Sequence, residues 1–509
     1  MLQLIREFKE RPTTSEEDVS NLAWTMELIA REQLYTVHFG EKSGASSHMT
    51  TEMTDWMRSN LQVSIGGAHP DRRTRESTIK PSGRETAGRE TDTEGSSAHG
   101  GKRNTVLSKV RGLTIGGAGT GGVHDHAAGM HSALAEGSAK EVVEELPWLS
   151  TLLNDTRVAR MLELSEDWKA FDVFELCEAT GNRPIVVGGM HILQRHGILD
   201  KLGVKAATMA NYLDALERGY VGSNPFHNNV HAADVMFTLN YFLGRPLFRE
   251  MVGPLDKFGA LLAALAHDFA HPGVSNAFLM TTRSEEAVLY NDQSVLEMFH
   301  AAGSWRLLLT SSECNVTEGF TPEMYKQMRE THIAMILATG TTGRVSGVAP
   351  HIRSTAPSLT LLLPPSTDLK VHFEHLGRLK TRIATDAFVS VERKDVLFLL
   401  GQALHAADIS NPAKAQHLQI KWTQRVMKEF FLQGDRENEL GLPISAFMDR
   451  QKTSIAQCQM GFISVLVKPL YAEWRKLLGD DLQPAIDLLQ LSLSGWETDG
   501  NKLCEGWDL

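Results

Sequence analysis

Apolar residues recur three and four positions apart through most of the chain from about 140 to 495, with polar residues between them. Such spacing predicts amphipathic helices. Phe258 to Ala266 is apolar throughout and reads as a helix buried on all sides. Strand-like alternation is rare, and short loops are marked by Pro, Gly and Asn, as in Gly222-Ser223-Asn224-Pro225. The pattern predicts an all-α, compact multi-helix domain over 140–495, with 496–509 as a C-terminal tail.

Three stretches depart from it. Residues 1–40 hold one helical segment, with Val19, Leu22, Ala23, Met26, Ile29 and Ala30 in register and Ser15 as an N-cap before Glu16-Glu17-Asp18. Residues 41–137 are rich in Gly, Ser, Thr, Arg and His and poor in large apolar side chains. Burial there cannot offset the entropy of ordering, so the N-terminal region is expected to be a largely disordered linker. Gly116 to Gly122 is no phosphate loop, because no Gly-Lys-Ser/Thr follows it. Residues 340–366 interrupt the helical pattern with Gly, Thr, Ser and Pro and read as an insertion with little regular structure.

Composition adds exclusions. The 509 residues carry a net charge of -11, which disfavours nucleic acid, a ligand that needs a basic face. Cys177, Cys314, Cys458 and Cys504 form no CxxC pair, so free thiols in a reducing compartment are expected. Charge follows Met1 too soon for a signal peptide, and no apolar run reaches the length of about 18 residues that marks a membrane span. An intracellular, cytoplasmic protein without a membrane span is the expectation.

The candidate chemistry lies in three elements. His267-Asp268-Phe269-Ala270-His271 follows the buried run, and on a helix its two imidazoles would share a face. His227-Asn228-Asn229-Val230-His231 repeats that spacing upstream, and His405-Ala406-Ala407-Asp408 lies downstream. Imidazole nitrogen suits zinc, and carboxylate oxygen suits magnesium or manganese. Together the three could complete a metal centre.

In this order, HNxxH, HDxxHxGxxN and HxADxSNP resemble the catalytic domain of class I 3′,5′-cyclic-nucleotide phosphodiesterases, over roughly Trp168 to Trp474. Tyr290-Asn291-Asp292, His372-Phe373, Glu429-Phe430-Phe431 and Gln459 with Gly461-Phe462 extend the likeness. The resemblance implies hydrolysis of cAMP, cGMP or both to the 5′-monophosphate with two divalent ions, zinc at one site and magnesium or manganese at the other. It implies His231, His267, Asp268 and Asp408 as metal ligands, with Asp268 reaching both ions. It implies His227 as the proton donor to the leaving oxygen, one helical turn before His231, and Glu297 as the carboxylate that orients it. His271 and Asp368 would act on water around the metals. Gln459, Phe462, Asn411, Val426 and Phe430 would hold the purine. Phe226 stands where many relatives have Tyr. The insertion separates Thr339 from Asp368, which relatives carry in one continuous stretch.

Two rivals remain open at this point: another HD-type metal phosphohydrolase, which would lack Gln459 to Phe462, and a catalytically impaired cyclic-nucleotide-binding protein. The partner expected is the cyclic nucleotide, and a homodimer is left open.

Overall fold

A computed structural model describes residues 147–340, 367–385 and 392–509. The expected N-terminal helix and linker lie outside these residues, as does the insertion beyond Gly340. No strand occurs among the described residues, in line with the all-α expectation. The helices that carry the site are α1 (Val173–Ala179), α2 (Pro184–Arg195), α3 (Ala206–Gly219), α4 (Asn229–Leu243) and α5 (Pro254–Ala266). They are followed by α6 (Val295–Thr310), α7 (Pro322–Thr339), α8 (Thr367–Ala384) and α9 (Arg393–Asp408). The series ends with α10 (Gln416–Glu439), α11 (Ile455–Phe462) and α12 (Gln483–Leu503). Further helices fill the intervals.

Helix α4 is the axis of the domain. Every residue from Asn229 to Leu243 is buried, so it has no polar face. Asn228 starts it, its side-chain oxygen accepting from the N–H groups of Val230 (2.9 Å) and His231 (3.4 Å). Helices α2, α5 and α9 pack around α4. Helix α5 begins at Pro254, whose missing N–H costs nothing in a first turn, and Phe258 to Ala266 are all buried, as the apolar run predicts. At Gly259 a Cβ would lie 3.2 Å from the Met328 carbonyl, so glycine sets how closely α5 approaches α7.

A polar knot fixes α5, α7 and α9 together. The buried Asp256 accepts from Thr331 (2.7 Å) and Gln327 (3.0 Å) and pairs with Arg393. A buried carboxylate is tolerated when its oxygens are satisfied in this way. The result is that the ends of α5 and α9, and the start of α4, meet at one place.

The chain end corrects one expectation. Helix α12 runs through the tail boundary at 495 to Leu503. Leu489, Leu493 and Trp496 are buried at helical spacing, and Trp496 Nε1 donates to Gln419 Oε1 at 3.2 Å.

Buried His332, 2% exposed on α7, makes stability depend on pH. Burial, aided by Arg329, pushes its pKa from 6.5 down to about 3. The unfolded chain therefore binds a proton that the folded chain refuses between pH 6.5 and 3, and stability is lost as pH falls through that window. We expect a contribution of about 1.4 kcal/mol per pH unit from this residue. Urea unfolding at pH 7 and pH 5 should give a shallower loss for His332→Gln than for the wild type.

Candidate active site

The HDxxH element is not helical. Helix α5 ends at Ala266, His267 caps it, and residues 267–270 form a turn in which Ala270 takes φ 59°. The shared face expected for His267 and His271 is therefore replaced by a reversal of the chain before Pro272 and Gly273. Packing of Phe269 holds the turn. Its ring lies against Gly219 of α3 and Gly303 of α6, where any Cβ would collide with it.

His267 is placed by the helix end it caps. Its Nδ1 lies 2.8 Å from the Ala264 carbonyl and donates to it, which leaves the Nε2 lone pair directed at the cluster. His231 arrives from the first turn of α4 and is fully buried, and Asp408 is the last residue of α9. The four side chains converge. His231 Nε2 is 3.0 Å from Asp408 Oδ1 and 3.4 Å from Asp268 Oδ2. His267 Nε2 is 3.1 Å from Asp268 Oδ2 and 3.4 Å from Asp408 Oδ1.

This donor set fits a divalent cation. Separations of 3.0–3.4 Å match the ligand-to-ligand edges around an ion held at about 2.0–2.2 Å. His267 Nε2 is buried without a hydrogen-bond partner of its own. Burial opposes charge on His267, Asp268 and Asp408. Even so, Asp268 and Asp408 hold the His267 pKa well above its usual value, and the imidazoles hold both carboxyls well below theirs. The two carboxylates thus demand positive charge, supplied by protons on imidazole or by a metal. Donor atoms of His227, Asp268 and His271 also come within 4.8 Å of one another, so Asp268 belongs to two convergent groups.

His227 sits before α4 and not within it, since the helix starts at Asn229. The expected turn of helix between His227 and His231 is instead a bend closed by the Asn228 cap. His227 Nδ1 pairs with Glu429 of α10, and the other Glu429 oxygen accepts from the N–H groups of Phe226 (2.9 Å) and His227 (3.1 Å). Burial would lower the His227 pKa, but Glu429 first, then Asp268 and Asp408, raise it to about 9. His271 stacks on His227 with centroids 4.0 Å apart, and His300 follows at 5.5 Å from His271. The Gly273 N–H donates to His271 Nδ1 at 3.0 Å, so the proton of neutral His271 resides on Nε2.

The carboxylate expected to orient His227 was Glu297, and the geometry corrects this to Glu429. Glu297, in the first turn of α6, instead accepts from Asn276 Nδ2 at 3.1 and 3.3 Å. The Nδ1 side of His227 faces α10 because its own backbone N–H is anchored to the same α10 carboxylate. Glu429 stood in a quoted motif, and its acid beside two aromatics was the available signal. His300 had no such signal. It donates from Nδ1 to the Phe269 carbonyl at 2.7 Å, a contact between elements distant in sequence.

Four of the five expected purine-binding residues sit on two helices. Thr423, Val426 and Phe430 are spaced along one side of α10, and Gln459 and Phe462 along one side of α11. Thr423 Oγ1 donates to Gln459 Oε1 at 3.3 Å, which sets these sides against each other. Gln459 is buried, while Val426, Phe430 and Phe462 are partly open. Phe462 precedes a π-helical turn at Ile463–Val467, a distortion common at functional sites. Asn411 opens a 3₁₀ turn, which buried Lys414 ties to α4 through Asp234 (2.9 Å) and Thr238 (2.7 Å). Phe226, where relatives were expected to have Tyr, packs with its ring 4.5 Å from His231 and 5.5 Å from Trp422. Asp368 lies in the first turn of α8.

Fold and site together define an all-helical domain with a convergent His/Asp cluster that could hold a metal ion. The model of the 3′5′-cyclic nucleotide phosphodiesterase family matches residues 226–345 and 363–489. The chain belongs to this family, and the described residues hold its catalytic domain. It is 34% identical over 342 residues to 3′,5′-cyclic-AMP phosphodiesterase 4C of Rattus norvegicus, covering 66% of this chain and 58% of that protein. It is 34% identical over 331 residues to the human dual specificity calcium/calmodulin-dependent 3′,5′-cyclic nucleotide phosphodiesterase 1C, covering 65% and 42%. The chain thus spans about half the length of these curated relatives. The phosphodiesterase domain of the RhoPDE fusion protein from the choanoflagellate Salpingoeca rosetta superposes with a TM-score of 0.56 at 25% identity, covering 70% of this chain and 98% of that one. Among the described residues no helix is long and apolar enough to cross a membrane.

Proposed function

We propose that the protein hydrolyses 3′,5′-cyclic nucleotides to 5′-monophosphates. The observation that carries this reading is the convergence of His231, His267, Asp268 and Asp408 beside the His227–Glu429 pair. His231, His267, Asp268 and Asp408 would hold one divalent ion, zinc by the two imidazole nitrogens among its donors, and Asp268 would extend to a second, magnesium or manganese. Such ions supply Lewis acidity to the phosphate and to water.

The protein side chains do the rest. Glu429 occupies His227 Nδ1, so the transferable proton is on Nε2, and the raised pKa keeps it there at neutral pH. His227 gives that proton to the departing 3′ oxygen, which would otherwise leave as a costly alkoxide. Phe462 and Val426 sandwich the base, with Phe430 on the wall. Gln459 and Asn411 meet its polar edge, and an amide offers both a donor and an acceptor. The test is turnover of cAMP and cGMP with and without added magnesium, following the 5′-monophosphate. Binding of either nucleotide without turnover would sink the reading and favour the binding-protein alternative.

The family model leaves residues 346–362 unmatched, inside the insertion expected at 340–366. Deleting 346–362 should preserve or raise magnesium-dependent activity. A deletion that unfolds the domain, read by circular dichroism, would mean that the segment belongs to the core.

A further inference from the structure

Helix α10 has a second functional side. Opposite Thr423, Val426 and Phe430 it carries Lys421, Gln424 and Arg425, which close a cavity of about 450 Å³ with Phe174 and Cys177 of α1, Asn182 and Val230. None of the residues assigned above to metal, proton transfer or base binding lines it.

Two of the three charged side chains that line this cavity are cations, Lys421 and Arg425. Lys421 Nζ and the Arg425 guanidinium lie 5.1 and 4.9 Å from the centroid of the Phe174 ring, and neither has a carboxylate partner among the described residues. The acid on the rim, Glu178, is exposed and has Arg157 at 3.6 Å. Burial holds the Arg425 pKa below its ordinary value, the mark of a guanidinium short of solvation. Two cations one helical turn apart, without an acid between them, leave an anion's place in the cavity.

The walls are wired to the catalytic segment. Arg425 donates to the Pro225 carbonyl at 3.1 Å, two residues before His227. Asn182 accepts through its carbonyl (3.2 Å) and Oδ1 (3.3 Å) from Asn229, the first residue of α4. The volume is many times the roughly 30 Å³ share of a water, which calls for an organic anion and not a bare ion. A phosphate monoester brings about two negative charges and three acceptor oxygens to such a pair. We propose that this cavity is a second site, for a small organic phosphate monoester, whose occupant acts on the reaction through Arg425 and the Pro225 carbonyl. Its effect on the reaction rests on the activity proposed above; its binding does not.

Cys177 gives a local readout, since its thiol lines the cavity and lies 3.1 Å from Asn182 Oδ1. The experiment measures alkylation rates of the four cysteines in the full chain by peptide mass spectrometry, with ribose 5-phosphate as the probe. At ten times its Kd, the probe should slow Cys177 about tenfold and leave Cys314, Cys458 and Cys504 unchanged. Ribose alone should not protect, Lys421→Glu should abolish protection, and the milder Lys421→Gln should weaken it. Equal slowing of all four thiols, equal protection by ribose, or full protection in both variants would overturn the site. In the turnover assay the probe should lower kcat for the wild type and not for Lys421→Glu, and an unchanged wild-type kcat would overturn the coupling. A chain that binds the probe but turns over no cyclic nucleotide would refute the proposed activity and leave the site standing.

Discussion

Asp268→Ala should be the most damaging single substitution in the chain, lowering kcat/KM for cyclic nucleotide by about 10³-fold or more, since metal Lewis acidity is worth several kcal/mol. Asp268 alone belongs to both convergent donor groups, one with His231, His267 and Asp408 and one with His227 and His271. Removing its carboxylate strips a donor from the first group and the sole carboxylate from the second. It also removes one of the negative charges that raise the His227 pKa. Asp408→Ala leaves the second group intact, so its loss should be smaller and partly recovered with excess magnesium. Asp268→Ala should show no such recovery. The measurement is metal content by elemental analysis alongside turnover across a magnesium series. An Asp268→Ala protein with full metal content and activity within about tenfold of wild type would remove the basis for the metal centre.

The proposed metal ligands were legible because each lies at or beside the end of a strongly patterned helix. Phe258 to Ala266 announces α5, and the helix stops where His267 begins. Asp408 likewise ends α9, and His231 sits in the first turn of α4. What spacing could not give was the backbone between those ends. An i, i+4 pair looks the same on a helix and across a turn, and only the left-handed Ala270 and the Asn228 cap decide between them. Glu429 and His300 were missed for a different reason. Their partners are 202 and 31 residues away, and no local pattern encodes a contact made only when α10 and α6 pack. The last helix was cut short at 495 because its mixed composition hid the spacing of Leu489, Leu493 and Trp496.

His227→Ala should keep the ion expected at His231, His267, Asp268 and Asp408 and lower kcat by about 10²–10⁴-fold, the scale of a lost general acid. A phosphodiester with a good leaving group, such as a nitrophenyl ester, needs little protonation and should lose far less. Glu429→Gln separates positioning from proton donation. The amide still reaches His227 Nδ1 but carries no charge, so kcat should fall by about 10–100-fold, the usual cost of a lost orienting partner. The pH profile adds a sign. Burial alone would lower the His227 pKa, and Glu429 is the first of the carboxylates that lift it to about 9. The acid form is the active one, so kcat declines as pH rises through that pKa. Without the Glu429 charge the alkaline limb must move toward neutral pH, and the loss should be greater at pH 9 than at pH 7. Glu297→Gln, whose carboxylate is bonded to Asn276, should leave that limb in place. A shifted limb in Glu297→Gln and an unshifted one in Glu429→Gln would restore Glu297 as the orienting acid.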